Sequence, residues 1–255
     1  MRNMRLFEKI TKTIKHFQVK QLIAKSESVY KEQLKYLYLP KNSDSLLIVF
    51  SGFTGETRKY NYISSFMDLP VDQLYILDTW GFKGSYYWLD KGNDNPERIV
   101  NGFIENFIMQ HSFKHVYTCG SSKGGTAAIY FGLMNNVERI YAGACQFRVG
   151  TYLNTVEHMP ILEAMIGDSN KDEMVEALDK KVEHVITNYN GKGHIFLFYS
   201  TKEPTYDNHI IPLIKSLRGK VVYSEQKAAF LSHSDVGIYF PTYVHGEVLS
   251  LSNVV

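Results

Sequence analysis

The chain has 255 residues and a nearly balanced charge, with 28 lysine and arginine residues against 26 aspartate and glutamate residues. This balance argues against a nucleic-acid-binding protein. The two cysteines, Cys119 and Cys145, are too few for a disulfide framework, and no apolar run approaches the ~20 residues of a membrane-spanning helix. We therefore expect a globular protein in a reducing compartment, the cytoplasm.

Residues 1–35 are predicted to form a basic amphipathic helix in front of the main domain. Within residues 1–25 the only acid is Glu8, and the basic side chains are Arg2, Arg5, Lys9, Lys12, Lys15, Lys20 and Lys25. Apolar side chains recur there at helical spacing, at Phe7, Ile10, Ile14 and Phe17. Such a helix either packs its stripe on the domain or lies on an anionic membrane surface. The narrow stripe favours packing, and a peripheral membrane contact through residues 1–25 is the alternative.

Residues 36–255 are predicted to form an α/β domain in which strands and helices alternate. Apolar, β-branched or aromatic runs predict strands at residues 46–50, 73–78, 114–119, 139–144, 194–200 and 220–224. Helical patterns follow at residues 96–110, 123–135, 207–217 and 237–250. This order predicts a doubly wound, mostly parallel sheet. Residues 147–192 interrupt the alternation with a mostly helical insertion, which we interpret as a lid.

A strand-to-helix turn at residues 120–124 carries the strongest chemical signal. Its sequence is Gly-Ser-Ser-Lys-Gly, so a glycine stands two positions before and two positions after Ser122. A strand that reverses abruptly into a helix crowds its neighbours, and glycine relieves that crowding. The spacing is typical of a nucleophile elbow, in which the serine hydroxyl stands clear of the sheet. Ser122 is therefore the predicted nucleophile.

Two backbone amides are candidates for an oxyanion hole beside this serine. Lys123 follows the nucleophile at the start of a predicted helix, where N–H groups lack intrahelical partners. The second donor is expected from residues 51–55, the loop after the first core strand, where Gly52 allows a close backbone approach. Phe53 is the preferred donor in this loop, and Thr54 is the second choice.

A serine nucleophile needs a base, and the base needs an acid that orients it. After an elbow the acid precedes the histidine in the chain. Glu203, which follows the predicted strand 194–200, is the preferred acid, and Asp207 at the start of the next helix is the alternative. Among the nine histidines His233 fits best, because it lies between the last predicted strand and the C-terminal helix. The sequence has no cluster with metal-ligand spacing, so we expect no metal and no cofactor.

Four longer motifs resemble a known family. They are RKYNYI at residues 58–63, LDTWGFKGSYYW at 77–88, GSSKGGTAAIYFG at 120–132 and GACQF at 143–147. Over roughly residues 36–250 the chain resembles the α/β-hydrolase proteins of bacterial capsular polysaccharide biosynthesis. These are similar to the accessory Sec system proteins that O-acetylate sugars on exported glycoproteins. The resemblance implies an α/β-hydrolase fold and a Ser-Glu-His triad at Ser122, Glu203 and His233.

These observations together predict a serine-dependent acyl-transfer enzyme, an esterase or O-acetyltransferase, that acts on a carbohydrate or glycoconjugate. Water and a sugar hydroxyl resolve the same acyl-enzyme, so the sequence does not separate hydrolysis from transfer. Four side chains are candidates for lining the substrate site: Arg58, Trp80, Tyr86 and Arg148. The alternative function is a non-catalytic hydrolase-like subunit that binds a polysaccharide-synthesis or secretion partner.

Overall fold

The computed structural model describes residues 2–53 and 58–252, with the side chains of the first helix from residue 13 onward. The strands are β1 Glu27–Tyr30, β2 Leu34–Leu39, β3 Ser45–Phe50, β4 Asp72–Ile76, β5 His115–Ser121, β6 Arg139–Gly143, β7 His194–Ser200 and β8 Val222–Ala228. They form one eight-stranded sheet in the order β1-β2-β4-β3-β5-β6-β7-β8. All pairs from β4 to β8 along this order are parallel, and β1 and β2 extend one edge as antiparallel strands.

The six predicted strands correspond to β3 through β8, and the predicted mostly parallel sheet is confirmed. Strands β1 and β2 were not predicted. β1 has four residues and no buried side chain, so it offers no apolar alternation to detect. β2 begins at Leu34 and spans the predicted boundary between residues 35 and 36. The sheet therefore begins ahead of that boundary, and the division into two domains stays a prediction.

Helices cover both faces of the sheet. They are α1 Arg2–Ser26, α2 Ile63–Phe66, α3 Asn95–His111, α4 Lys123–Met134, α5 Val149–Leu153, α6 Met159–Ile166, α7 Lys171–Asn188, α8 Ile211–Leu217 and α9 Val236–Ser252. Helices α3 to α8 bury their apolar side chains in one core, and α2 and α9 bury theirs in a second core on the opposite face. A π turn at Tyr206–Ile210 and a 3₁₀ turn at His233–Asp235 precede α8 and α9.

The insertion at residues 147–192 is part of the first core. Its helices α5, α6 and α7 contribute fully buried side chains, among them Leu153, Leu162 and Ile186. The end of α6 is also held by backbone hydrogen bonds, because Lys91 N donates to Ala164 O at 3.0 Å and the next amide donates to Met165 O. These helices are therefore anchored on the domain. Their action as a lid stays a prediction.

The first helix does not pack in the way that its apolar stripe predicts. Ile14 and Phe17 are 52% and 59% exposed, whereas Val19, Leu22 and Ile23 pack against the second core. The prediction that the stripe is buried is thus wrong for Ile14 and Phe17, and the other two stripe positions, 7 and 10, lie outside the described side chains. The physical reason is position: among the described side chains of α1, those that pack lie beyond residue 18, and the helix contacts α2, β1 and β2.

Candidate active site

Ser122 occupies the sharp turn between β5 and α4. Its backbone has φ 53° and ψ −128°, a conformation that costs energy for a residue with a side chain, and its amide donates to Gly143 O at 2.7 Å. A Cβ on Gly120 would lie 2.3 Å from Gly124 O, and one on Gly124 would lie 2.5 Å from Phe50 O. The two glycines are therefore required by the close approach of three backbone segments, as the spacing predicted.

The structure brings Ser122, His233 and Glu203 together at the carboxyl edge of the sheet. His233 Nε2 lies 2.9 Å from Ser122 Oγ, and His233 Nδ1 lies 2.8 Å from Glu203 Oε2. The carboxylate of Glu203 is buried and also accepts a hydrogen bond from Thr205 Oγ1 at 2.7 Å. Because a carboxylate only accepts, His233 donates from Nδ1 and leaves Nε2 free to accept the serine proton.

The alternative acid, Asp207, lies elsewhere. It is exposed in the π turn, four residues beyond Glu203. The loop between β7 and this turn instead directs Glu203 inward, where it is 3% exposed. Of the two carboxylates considered from the sequence, Glu203 is the one in contact with His233.

The two predicted oxyanion donors lie on segments that adjoin the turn at Ser122. Lys123 is the first residue of α4, so its amide belongs to the turn whose N–H groups have no intrahelical acceptor. The loop after β3 lies against the elbow, since a Cβ on Gly52 would be 3.3 Å from Ser121 O. Phe53 follows in that loop and places its ring 5.7 Å from the ring of Tyr86. Thr54, the second choice, lies outside the described residues. The oxyanion role stays a prediction for both Phe53 and Lys123.

A buried ion pair beneath the elbow was not predicted. Lys123 Nζ lies 2.7 Å from Asp78 Oδ2, and each side chain is 1% exposed. Burial lowers the pKa of Lys123, and the neighbouring carboxylate opposes that shift. Asp78 also accepts the amides of Ser85 at 2.7 Å and Tyr87 at 3.2 Å. One sequence signal existed: Lys123 is the single charge in an otherwise apolar, small-residue helix.

Gln146 is a second unpredicted member of the site. Its Nε2 lies 3.1 Å from Ser122 Oγ and 3.3 Å from His233 Nε2, and the residue is 1% exposed. It follows β6 by three positions, inside the GACQF motif. The available signal was a polar residue shortly after a predicted strand, because the carboxyl ends of neighbouring parallel strands meet at one edge.

The four predicted lining residues have different environments. Tyr86 is fully buried, and its hydroxyl donates to Gln146 Oε1 at 3.3 Å. Gln146 therefore links Tyr86 to Ser122. Trp80 is 7% exposed and belongs to the first core. Arg58 is exposed and donates to the backbone oxygens of residues 80 and 81. Arg148 is exposed, and its amide donates to His209 Nδ1. Contact of these residues with substrate stays a prediction.

Among residues 2–53 and 58–252, no three histidine, cysteine, aspartate or glutamate side chains form a group that could hold a metal ion. In the same residues no helix combines the length and the apolar character needed to cross a bilayer.

Comparison with known proteins shows which solved structures share this fold. No protein-family model matches the sequence, and no curated protein sequence matches it. The capsule O-acetyltransferase of Neisseria meningitidis serogroup A superposes with a TM-score of 0.76 at 23% identity, over 87% of this chain and 93% of that one. A variant of that enzyme in complex with CoA gives the same TM-score.

Two other solved structures extend the comparison. The Glycosylation Associate Protein complex of Streptococcus agalactiae has a TM-score of 0.67 at 16% identity, over 88% of this chain and 46% of that chain. Est1E from Butyrivibrio proteoclasticus has a TM-score of 0.60 at 14% identity, over 89% and 96%. The chain has an α/β-hydrolase fold. At these identities the likeness establishes the fold, and the function of this α/β-hydrolase-fold protein must rest on its own residues.

Proposed function

We propose that the protein is a serine-dependent acyl-transfer enzyme with Ser122, His233 and Glu203 as its catalytic triad. The observation that carries the proposal is the continuous pair of contacts from Ser122 Oγ through His233 to Glu203, at 2.9 and 2.8 Å. Nucleophile, base and orienting acid within hydrogen-bond reach of each other are what acyl transfer requires. The strained elbow that holds Ser122 further supports this proposal.

In the first half-reaction, His233 Nε2 takes the proton of Ser122 as Oγ attacks the acyl carbon. The tetrahedral oxyanion is stabilised by the amides of Phe53 and Lys123, and Glu203 stabilises the imidazolium that forms. His233 then gives the proton to the leaving group, and an acyl-Ser122 ester remains. In the second half-reaction, the hydroxyl of an acceptor loses its proton to His233, attacks the ester and releases Ser122.

We propose a glycan or glycoconjugate hydroxyl as the acceptor, or as the alcohol part of an ester that is hydrolysed. Two structural neighbours support a carbohydrate substrate, since one is a capsule O-acetyltransferase and another is a glycosylation-associated complex. A CoA thioester is the acyl donor to test first, because the capsule enzyme was also solved with CoA. The second candidate is a non-catalytic subunit of a glycosylation complex, for which the Streptococcus likeness is the supporting observation.

The experiment that tests the proposal is labelling of the active serine by a fluorophosphonate probe. The wild type should be labelled on the peptide that contains Ser122, and Ser122→Ala should not be labelled. Ser121→Ala is the matched control, because it removes the neighbouring hydroxyl and should retain the label. Absence of wild-type labelling, together with no turnover of p-nitrophenyl acetate or acetyl-CoA, would support the non-catalytic subunit instead.

We also propose that the protein is cytoplasmic and that residues 1–25 make a peripheral contact with anionic membrane. The seven basic residues and single acid of this segment favour an anionic surface. The exposure of Ile14 and Phe17 on α1 supports the same contact, because amphipathic helices bind bilayers through such side chains.

A further inference from the structure

The carboxamide of Gln146 has a defined orientation at the centre of the site. Its backbone is held on both sides by Thr126, whose Oγ1 donates to Gln146 O at 2.7 Å and accepts from Gln146 N at 3.0 Å. The side-chain oxygen accepts the hydroxyl of Tyr86 at 3.3 Å. The NH₂ group therefore points toward Ser122 Oγ and His233 Nε2, at 3.1 and 3.3 Å.

Tyr86 is itself fixed in place by the buried ion pair. Asp78 accepts the amides on either side of Tyr86, from Ser85 and Tyr87, and it also binds Lys123 Nζ. Tyr86 and Tyr87 both have positive φ, at 57° and 63°, which is costly for aromatic residues and is maintained by these contacts. Hydrogen bonds thus connect α4 through Asp78 to the segment around Tyr86, and Tyr86 in turn holds the Gln146 carboxamide.

An NH₂ group at this position has a defined effect on the resting serine. A carboxamide nitrogen only donates, whereas a hydroxyl oxygen has two lone pairs and one proton. When Gln146 donates to one lone pair of Ser122 Oγ, the hydroxyl proton is left for His233 Nε2, which is the direction that attack requires. Gln146 takes up no proton in this arrangement and acts by positioning.

The same position matters for the acceptor in the second half-reaction, and this step rests on the proposed function. The acceptor must give its proton to His233 Nε2, so its attacking atom lies within hydrogen-bond reach of that nitrogen. Gln146 Nε2 is 3.3 Å from the same nitrogen, close enough for one acceptor atom to contact both groups. A hydroxyl oxygen uses one lone pair for attack and offers the second to Gln146. A neutral amine has only one lone pair, which attack consumes.

We propose that Gln146 is a positioning residue that favours oxygen over nitrogen acceptors, so that the enzyme makes O-acyl and not N-acyl products. The acceptor oxygen forms the new ester bond as the bond from the acyl carbon to Ser122 Oγ breaks. The acceptor proton passes to His233 and from there to Ser122 Oγ. Loss of the Gln146 donor removes the preference for oxygen and leaves the triad contacts in place.

Two substitutions of Gln146 and one matched control test this role. Gln146→Leu removes the donor. Gln146→Glu keeps an acceptor for Tyr86 but replaces the donor with a carboxylate. Gln73→Leu is the control. Gln73 is also fully buried and also accepts a tyrosine hydroxyl, that of Tyr75 at 2.7 Å. It lies near the start of β4, at the amino ends of the parallel strands and therefore away from the site.

The measurement is the partition of the acetyl-enzyme formed from p-nitrophenyl acetate between glycerol and propylamine. We expect Gln146→Leu to lower the glycerol-to-amine product ratio by about 2- to 10-fold, the loss expected for one neutral hydrogen bond. Gln146→Glu should in addition move the acid limb of the pH–rate profile to higher pH, because a carboxylate beside Nε2 stabilises the imidazolium. Gln73→Leu should lower stability without changing the ratio.

The outcomes separate this inference from the proposed function. An acyl-enzyme burst in the wild type, with the same glycerol-to-amine ratio in all variants, overturns the role of Gln146 and leaves the proposed function intact. A ratio that changes equally in Gln73→Leu also overturns it, because the effect would then follow lost stability. A wild type without a burst overturns the proposed function, and the role of Gln146 with it.

Discussion

Helices α4 and α1 both combine apolar residues with lysine, yet the structure uses them in opposite ways. In α4 every residue from Lys123 to Leu133 is buried, and its lysine is paired with Asp78 next to Ser122. In α1 the described residues 13–18 are all exposed, Lys15 among them. This difference in burial shows that the burial of a helix depends on the surfaces that surround it more than on its own apolar periodicity.

The surroundings of α4 explain its burial. Gly125 and Gly132 let the helix approach the strands on either side, since a Cβ on Gly132 would lie 2.7 Å from Thr118 Oγ1 and one on Gly125 would lie 3.0 Å from Cys145. The helix lies over β3, β5 and β6 and is covered by α7. The first helix contacts β1, β2 and the four-residue α2, and its described residues 13–18 remain exposed. Substitutions should therefore have large effects around α4 and small effects on α1.

The largest effect is expected at the acid beside α4. Glu203→Gln should lower kcat by about 10³- to 10⁴-fold with little change in the melting temperature, because the amide no longer holds His233 in the tautomer that accepts the serine proton. Asp207→Asn is the matched control, since it changes a nearby exposed carboxylate, and its kcat should stay within about twofold of wild type. Steady-state kinetics with p-nitrophenyl acetate measures both, and the reverse ranking would move the role to Asp207.

The next largest effect is on stability and concerns one lysine of α4, Lys123, and one of α1, Lys20. Lys123→Met should lower the free energy of unfolding by about 3–5 kcal/mol, because it leaves the Asp78 carboxylate buried without its cation. Lys20→Met removes an exposed lysine of α1 and should leave the urea midpoint unchanged. Adding Asp78→Asn to Lys123→Met should recover part of the loss. Equal midpoints for Lys123→Met and wild type would contradict the buried pair.

A third effect, on the pH dependence of stability, follows from His209, which contacts the start of the insertion at residues 147–192. Its Nδ1 accepts the amides of Phe147 and Arg148 at 3.3 Å each, and burial lowers the pKa of His209 from 6.5 to about 4. The unfolded chain therefore binds a proton before the folded one does. As pH falls from about 6.5 to 4, this histidine should contribute a loss of about 3 kcal/mol of stability, and below pH 4 the loss should level off.

The variant His209→Gln isolates that contribution, since its amide oxygen can still accept the two backbone N–H groups but does not titrate. Urea unfolding at pH 7, 5.5 and 4 should show a shallower decline for His209→Gln than for wild type. Parallel declines would show that other groups cause the loss of stability in acid.

The sequence predicts this fold and the turn at Ser122 because both depend on local patterns. Strands β3 to β7 carry apolar runs, and the Gly120–Gly124 turn has a steric requirement that can be read from five letters. Asp78 and Gln146 were missed because their roles arise from contacts 45 and 24 residues away in the chain, which no local pattern records. The exposure of Ile14 was missed for a similar reason, since periodicity does not reveal how much surface a helix will meet.

The smallest expected effect on stability is at residues 1–17, the part of α1 that includes the exposed residues 13–17. Deleting residues 1–17 removes Ile14, Phe17 and five of the seven basic residues but leaves the packed side chains of Val19, Leu22 and Ile23. Its free energy of unfolding should stay within about 0.5 kcal/mol of wild type. Deleting residues 1–25 also removes the packed side chains, and these half-buried groups should together contribute about 2–3 kcal/mol.

Membrane binding, unlike stability, should already be lost when residues 1–17 are deleted. Each basic residue near an anionic surface contributes about 1 kcal/mol, so deletion of residues 1–17 should already abolish co-sedimentation with phosphatidylglycerol vesicles at low salt. Ile14→Ser with Phe17→Ser keeps every charge and should leave a weaker association that high salt removes, because only the electrostatic part then remains. If deletion of residues 1–17 lowers the melting temperature as much as deletion of residues 1–25, residues 1–17 are packed in solution, and the contrast between α1 and α4 fails.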